Sequence, residues 1–121
     1  MALLALKKLR ANLGAVFPSK RVAEGERVLY DRECTEGGWN YGNRAVLGED
    51  LPPYPDSTAI ALIALQDQPP GRNDRSLQAL RRLIDDPHAS GLALALGTIC
   101  LSVYGEDPEP WRRRLAALYE R

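Results

Sequence analysis

Two neighbouring stretches decide the fold: Cys34-Thr35-Glu36-Gly37-Gly38-Trp39-Asn40-Tyr41-Gly42-Asn43, and Pro52-Pro53-Tyr54-Pro55-Asp56-Ser57-Thr58-Ala59-Ile60-Ala61-Leu62-Ile63-Ala64-Leu65-Gln66. The first predicts a turn. Gly37 and Gly38 permit backbone angles and close approaches that a side chain forbids, so Trp39 can lie flat over a helix end and bury a large area. The second predicts a helix. Pro55 suits its first turn, and Asp56, Ser57 or Thr58 can satisfy the free amides there. From Ala59 to Gln66 the chain is apolar nearly all the way round, the pattern of a helix enclosed by protein.

Outward from this pair, helical spacing dominates. Leu3, Leu6, Leu9 and Leu13 recur at three and four residues and mark one apolar stripe over 3–14. Gly14 and Pro18 end it, and Ser19 is placed to cap a second helix, 19–33, carrying Val22, Ala23, Val28 and Leu29. On the other side, Pro69, Pro70 and Gly71 stop the central helix (56–67). Asn73 or Asp74 then caps 74–86, with Leu77, Leu80, Leu83 and Ile84 on one face and Arg81, Arg82, Asp85 and Asp86 opposite. Residues 89–104 are again apolar on almost every face, and 109–120 places Trp111, Leu115, Leu118 and Tyr119 together. No segment shows strand alternation. Amphipathic helices thus alternate with apolar ones, giving an all-α chain of about three stacked antiparallel hairpins with inner and outer layers. The whole of 1–121 reads as a single helical-repeat domain.

Between the second and third helices lies a loop of about 20 residues, long for a compact domain. Trp39, Tyr41 and Tyr54 are interleaved in it, and aromatics bury area only when a loop is ordered. Two roles fit them: stapling the loop, or rimming a ligand cavity.

Composition narrows the function. Among 121 residues, 45% are apolar and 26% charged, and 16 basic residues balance 16 acidic ones. Zero net charge gives no electrostatic case for nucleic acid or an anionic membrane as the main partner. Cys34 and Cys100 make no disulfide framework and read as two packed, reduced thiols. A single histidine, His88, excludes a zinc site that needs two. The start Met1-Ala2-Leu3-Leu4-Ala5-Leu6-Lys7-Lys8 lacks the order of a secretory signal, in which charge precedes the apolar run. The longest apolar stretch is too short to span a bilayer. A soluble, cytoplasmic protein is expected.

An outer helix, a Gly-Gly-Trp turn and a capped apolar helix ending in Ala64-Leu65-Gln66 resemble the repeat of the squalene cyclase and protein prenyltransferase superfamily. The resemblance covers residues 34–66. It implies an α/α toroid whose inner helices line a central cavity. Three helix pairs make about half such a ring, so the chain resembles a partial or divergent member, or a piece of a longer one. The basic first helix (Lys7, Lys8, Arg10) and the Arg112–Arg114 run of the last are then expected as wet outer faces.

The chemistry of those enzymes is not carried over. Cyclase repeats hold a Gln before the turn, where this chain reads Asp31-Arg32-Glu33, and the cyclases use an Asp-x-Asp-Asp acid that is absent. The one Asp-Asp pair, Asp85-Asp86, reads as a solvated helix end. Prenyltransferase subunits hold zinc with Asp-x-Cys and a His. Here Asp56-Ser57-Thr58 puts a hydroxyl in place of the thiolate, and Asp56 with His88 alone is a poor zinc set. The expectation is a non-catalytic helical-repeat domain with no metal or cofactor, whose concave side binds an unknown protein or an apolar small molecule. Trp39, Tyr41, Asn43, Tyr54 and Asp56 are its cavity residues. Two alternatives stand beside it. One is a structural half-toroid completed by homodimerisation. The other is a terpenoid cyclase-like or prenyltransferase-like enzyme domain drawing on Glu36, Glu49, Asp50, Asp56 and His88.

Overall fold

The computed structural model describes residues 2–13, 19–42, 45–46 and 49–120. Six helices account for most of them: α1 (Ala2–Leu13), α2 (Ser19–Asp31), α3 (Pro55–Ala64), α4 (Asp74–Asp85), α5 (Gly91–Val103) and α6 (Glu109–Tyr119). The fold is all-α, as the spacing predicts. Its one addition is an antiparallel pair of two-residue strands, β1 (Ala45–Val46) and β2 (Glu49–Asp50). Two residues are too few for alternation to register in a sequence.

α1 packs on α2 and α3, α3 on α4 and α5, and α5 on α4 and α6. The three apolar helices therefore form a row in the order α1, α3, α5, and each amphipathic helix leans on a member of that row. Val22, Leu62, Leu65, Leu80, Ile84, Leu94 and Leu101 are the large side chains sealed in the shared core.

The helix ends differ from expectation in instructive ways. At α3 the N-cap position is Tyr54 in extended conformation, with no side-chain cap. Asp56 sits one position past Pro55, too far into the first turn to cap it, though an acid there still suits the helix dipole. At α4 Asn73 occupies the N-cap position but makes no capping bond. α5 begins on Ser90, whose Oγ accepts from the Ala93 amide at 3.1 Å. It ends on Gly105 (φ +83°), with Gly105 N donating to Ser102 O and Glu106 N to Leu101 O. That paired closure needs a residue in the left-handed region.

The basic first helix is not a uniformly wet face. The Lys7 side chain is largely buried, its Nζ donating to Ala64 O at 2.6 Å and lying 3.0 Å from Glu26 and against Asp67. One ammonium thus joins α1 to α2 and to the end of α3. In the expected leucine stripe Leu3 is buried and Leu9 is exposed. Arg114 likewise leaves the solvated run on α6. It donates to Ile84 O and, at 2.8 Å, to Asp86 O, supplying the carbonyls that close α4 with a cation.

Candidate functional site

The Gly-Gly-Trp turn is a small closed loop pinned to three helices. Cys34 N donates to Gly38 O at 2.8 Å and Gly37 N to Cys34 O at 2.9 Å. Gly37 (φ +95°) and Gly38 (φ +81°) both lie in the left-handed region that favours glycine. Space excludes a side chain too. A Cβ on Gly37 would stand 2.7 Å from Arg75 O, and one on Gly38 2.6 Å from Pro53 Cβ. The close approach lets Gly38 N donate to Ser76 Oγ on α4 at 2.9 Å.

Trp39 follows, only 3% exposed. Its amide donates to Thr58 Oγ1 (2.9 Å) and its carbonyl accepts from Thr58 Oγ1 (3.2 Å) and Tyr54 N (2.8 Å). The indole Nε1 donates to Leu29 O in the last turn of α2 at 2.7 Å. Thr58 is therefore a staple between loop and helix, which explains a hydroxyl at this position in structural terms. Trp39 closes the end of α2 and holds the start of α3 in one contact set.

The same loop brings three of the sequence-predicted residues to one opening. A groove of about 530 Å³ runs between α1, α2 and α3, walled by Leu3, Val28, Ile60 and Ala64, with Trp39, Tyr41 and Asp56 also lining it. This volume falls in the usual range of small-molecule sites. Tyr41 Oη donates to Asp56 Oδ2 at 2.8 Å, and the Tyr41 ring stacks on Tyr54 with centroids 4.8 Å apart. Tyr54 therefore backs the rim without lining the groove. The bond to Asp56 raises the Tyr41 phenol above its ordinary range. Asn43 lies outside the described residues.

The remaining chemistry-bearing residues stay apart from the groove. His88 is exposed in the turn after α4, its amide donating to Asp86 Oδ1 at 2.7 Å. Asp85 accepts from Trp111 Nε1 at 2.9 Å, so half of the expected solvated pair ties α6 to α4. Among the described residues no three metal-capable side chains cluster. Cys34 and Cys100 are buried and free. Burial raises both thiols, Cys100 to about 12, which keeps them protonated and unreactive at neutral pH.

Sequence reasoning missed a second buried cluster. Asn73, with 6% exposure, accepts from Tyr30 Oη at 2.7 Å and donates to Leu65 O at 3.0 Å and Tyr104 Oη at 3.1 Å. Tyr104 Oη donates in turn to Leu62 O, and the Arg72 guanidinium stands 4.0 Å over the Tyr30 ring. The cluster ties the ends of α2, α3 and α5 to the start of α4. Asparagine at a helix start looks like a cap, and only the tertiary fold turns its amide inward.

Compared with known proteins, the chain matches no family model, no curated protein and no solved structure.

Proposed function

We propose that this chain is a non-catalytic helical-repeat module, of the kind found in the squalene cyclase and protein prenyltransferase superfamily, that binds an apolar ligand in the groove between α1, α2 and α3. One observation carries the proposal: the loop that closes α2 onto α3 also presents Trp39, Tyr41 and Asp56 on an apolar groove of about 530 Å³. The apolar walls supply binding free energy, and the few polar groups fix orientation. The buried, protonated thiols and the distant His88 support a binding role over a catalytic one. Two free, buried cysteines also fit a reducing cytoplasm. Calorimetric titration with 1-decanol tests the proposal. Binding that disappears in Ile60→Glu, with the melting temperature retained, is expected. Absence of binding up to the solubility limit of the alcohol would overturn it.

A second reading, self-association, has its own observation. Leu92, Ile99 and Val103 on α5 are 63%, 54% and 42% exposed. With the half-buried Leu96 they follow a 4-3-4 spacing, the seam a second helix takes. From Pro87 to Gly105 the chain holds no Asp, Glu, Lys or Arg, so two copies meeting there bring no like charges together. Sedimentation equilibrium decides it. A monomer at all concentrations removes this reading and leaves the groove untouched.

A further inference from the structure

We infer that the ligand of this groove is a singly charged acidic amphiphile, a medium-chain carboxylic acid, with Arg32 as its head-group residue. The inference rests on the groove being a binding site. Arg32, just past the C-terminal end of α2, lines the same groove as Tyr41 and Asp56. Its guanidinium forms no hydrogen bond or ion pair among the described residues. The neighbouring carboxylate that could have taken it, Glu33, is instead held by Arg75 at 2.6 Å. The other charge on the lining, Asp56, already receives the Tyr41 hydroxyl and stands in the first turn of α3, where the helix dipole favours an anion. Among the described residues, the lining therefore carries one unpaired cation, Arg32, and one anion that is already bonded, Asp56.

This charge arrangement selects the head group. A guanidinium presents a planar fork that matches a carboxylate through two parallel N–H bonds. A carboxylate brings one negative charge to one positive one. A phosphate monoester brings close to two, and among the described lining residues Arg32 is the one cation, so the surplus meets Asp56. An ammonium head meets Arg32 as a like charge, and an alcohol leaves the guanidinium unmatched. The chain length follows from the wall. Asp56 and Ala64 of α3 are eight residue steps apart, about 12 Å at 1.5 Å per residue, close to an extended ten-carbon chain.

Calorimetry of the full chain with decanoate, 1-decanol, decylamine and decyl phosphate, each below its micellar concentration, tests this. Decanoate is expected to bind about tenfold tighter than decanol, the low end of what a charge-assisted hydrogen bond is worth. Arg32→Gln is expected to bring decanoate down to the level of decanol and leave decanol unchanged. The Trp111→Phe variant makes Trp39 the sole indole, and its emission is expected to shift on titration. Equal affinity for acid and alcohol, or indifference to Arg32→Gln, overturns the head-group assignment while the groove reading survives. Tighter binding of the amine or the phosphate overturns it as well. Silence of Trp39 while heat is released places the ligand elsewhere, and no binding of any of the four removes the groove reading itself.

Discussion

α3 and α5 are the two helices that the sequence makes apolar on nearly every side, and the structure treats them differently. Thr58, Ala59, Leu62, Ala64 and Leu65 of the α3 segment are all sealed. α5 seals Leu94, Cys100 and Leu101 yet leaves Leu92, Ile99 and Val103 in solvent. α3 packs against α1, α4 and α5, whereas α5 packs against α3, α4 and α6. An apolar sequence permits enclosure, but the neighbours decide how much of the helix is covered.

The contrast breaks or holds first on stability. Leu62→Ala leaves a cavity at a site with no exposure and is expected to cost about 2–5 kcal/mol. Leu92→Ala, at a site 63% exposed, is expected to cost under about 1 kcal/mol. Urea denaturation at low micromolar concentration measures both. Equal costs would mean that α5 is covered in solution, and that the two helices are alike after all.

Next in size is a comparison of glycines at the entrances and exits of these helices. Gly38, before α3, and Gly105, after α5, share left-handed angles near +80°. A Cβ at Gly105 meets nothing within 4 Å, while one at Gly38 meets Pro53 at 2.6 Å and Thr58 Oγ1 at 2.9 Å. Gly105→Ala is expected to cost about 1–2 kcal/mol from the backbone alone. Gly38→Ala adds overpacking of about 1–3 kcal/mol and should disturb the Trp39–Thr58 bonds, seen as a change in indole emission. Identical costs would show that the turn before α3 is no more tightly built than the one after α5.

Why the helices were legible and the site only half so follows from the range of the signals. Periodicity, Pro55 and Gly105 act within a turn or two of chain, so six helices and their order can be read directly. Trp39 could be read as a staple because two glycines beside an indole leave few alternatives. The groove mouth was named through Trp39, Tyr41 and Asp56. Other residues of its lining, Leu3, Val28 and Arg32, come from α1, α2 and the residue after α2, whose approach no local pattern encodes. Lys7, Asn73 and Arg114 depart from expectation for the same reason. Each looks like a surface or capping residue, and each gains its partners 8 to 60 residues away. The expectation that Asp56, Ser57 or Thr58 caps α3 fails locally: Tyr54 occupies the cap position and no side chain caps it.

The buried thiol of α5 offers a smaller effect with a definite sign. Burial raises Cys100 from an ordinary value of 9.0 to about 12. The folded chain therefore keeps a proton that the unfolded chain releases above pH about 9. The contribution is fully present below pH 9 and is lost as pH rises toward 12. Burial also raises Tyr104 and Tyr30, so they add to the loss at the upper end. Cys100→Ala is expected to flatten the fall in stability between pH 9 and 10 specifically, measured by urea midpoints across that interval. An unchanged slope would mean that Cys100 titrates normally and that the inner face of α5 is less dry than that of α3.

The smallest expected change isolates the bare face itself. Ile99→Lys places a charge at a position 54% exposed, where the ammonium can remain in water. Folding stability of the monomer is expected to stay within about 0.5 kcal/mol of the parent. Any self-association through the α5 seam should vanish, because two copies would then bring two like charges into one contact. Sedimentation equilibrium and denaturation on the same sample read these quantities separately. A large loss of monomer stability would mean that the outer side of α5 is packed within its own chain, contrary to its exposure. A neutral cost together with a lost dimer would show that α5 is the equal of α3 only when a second copy supplies the missing wall.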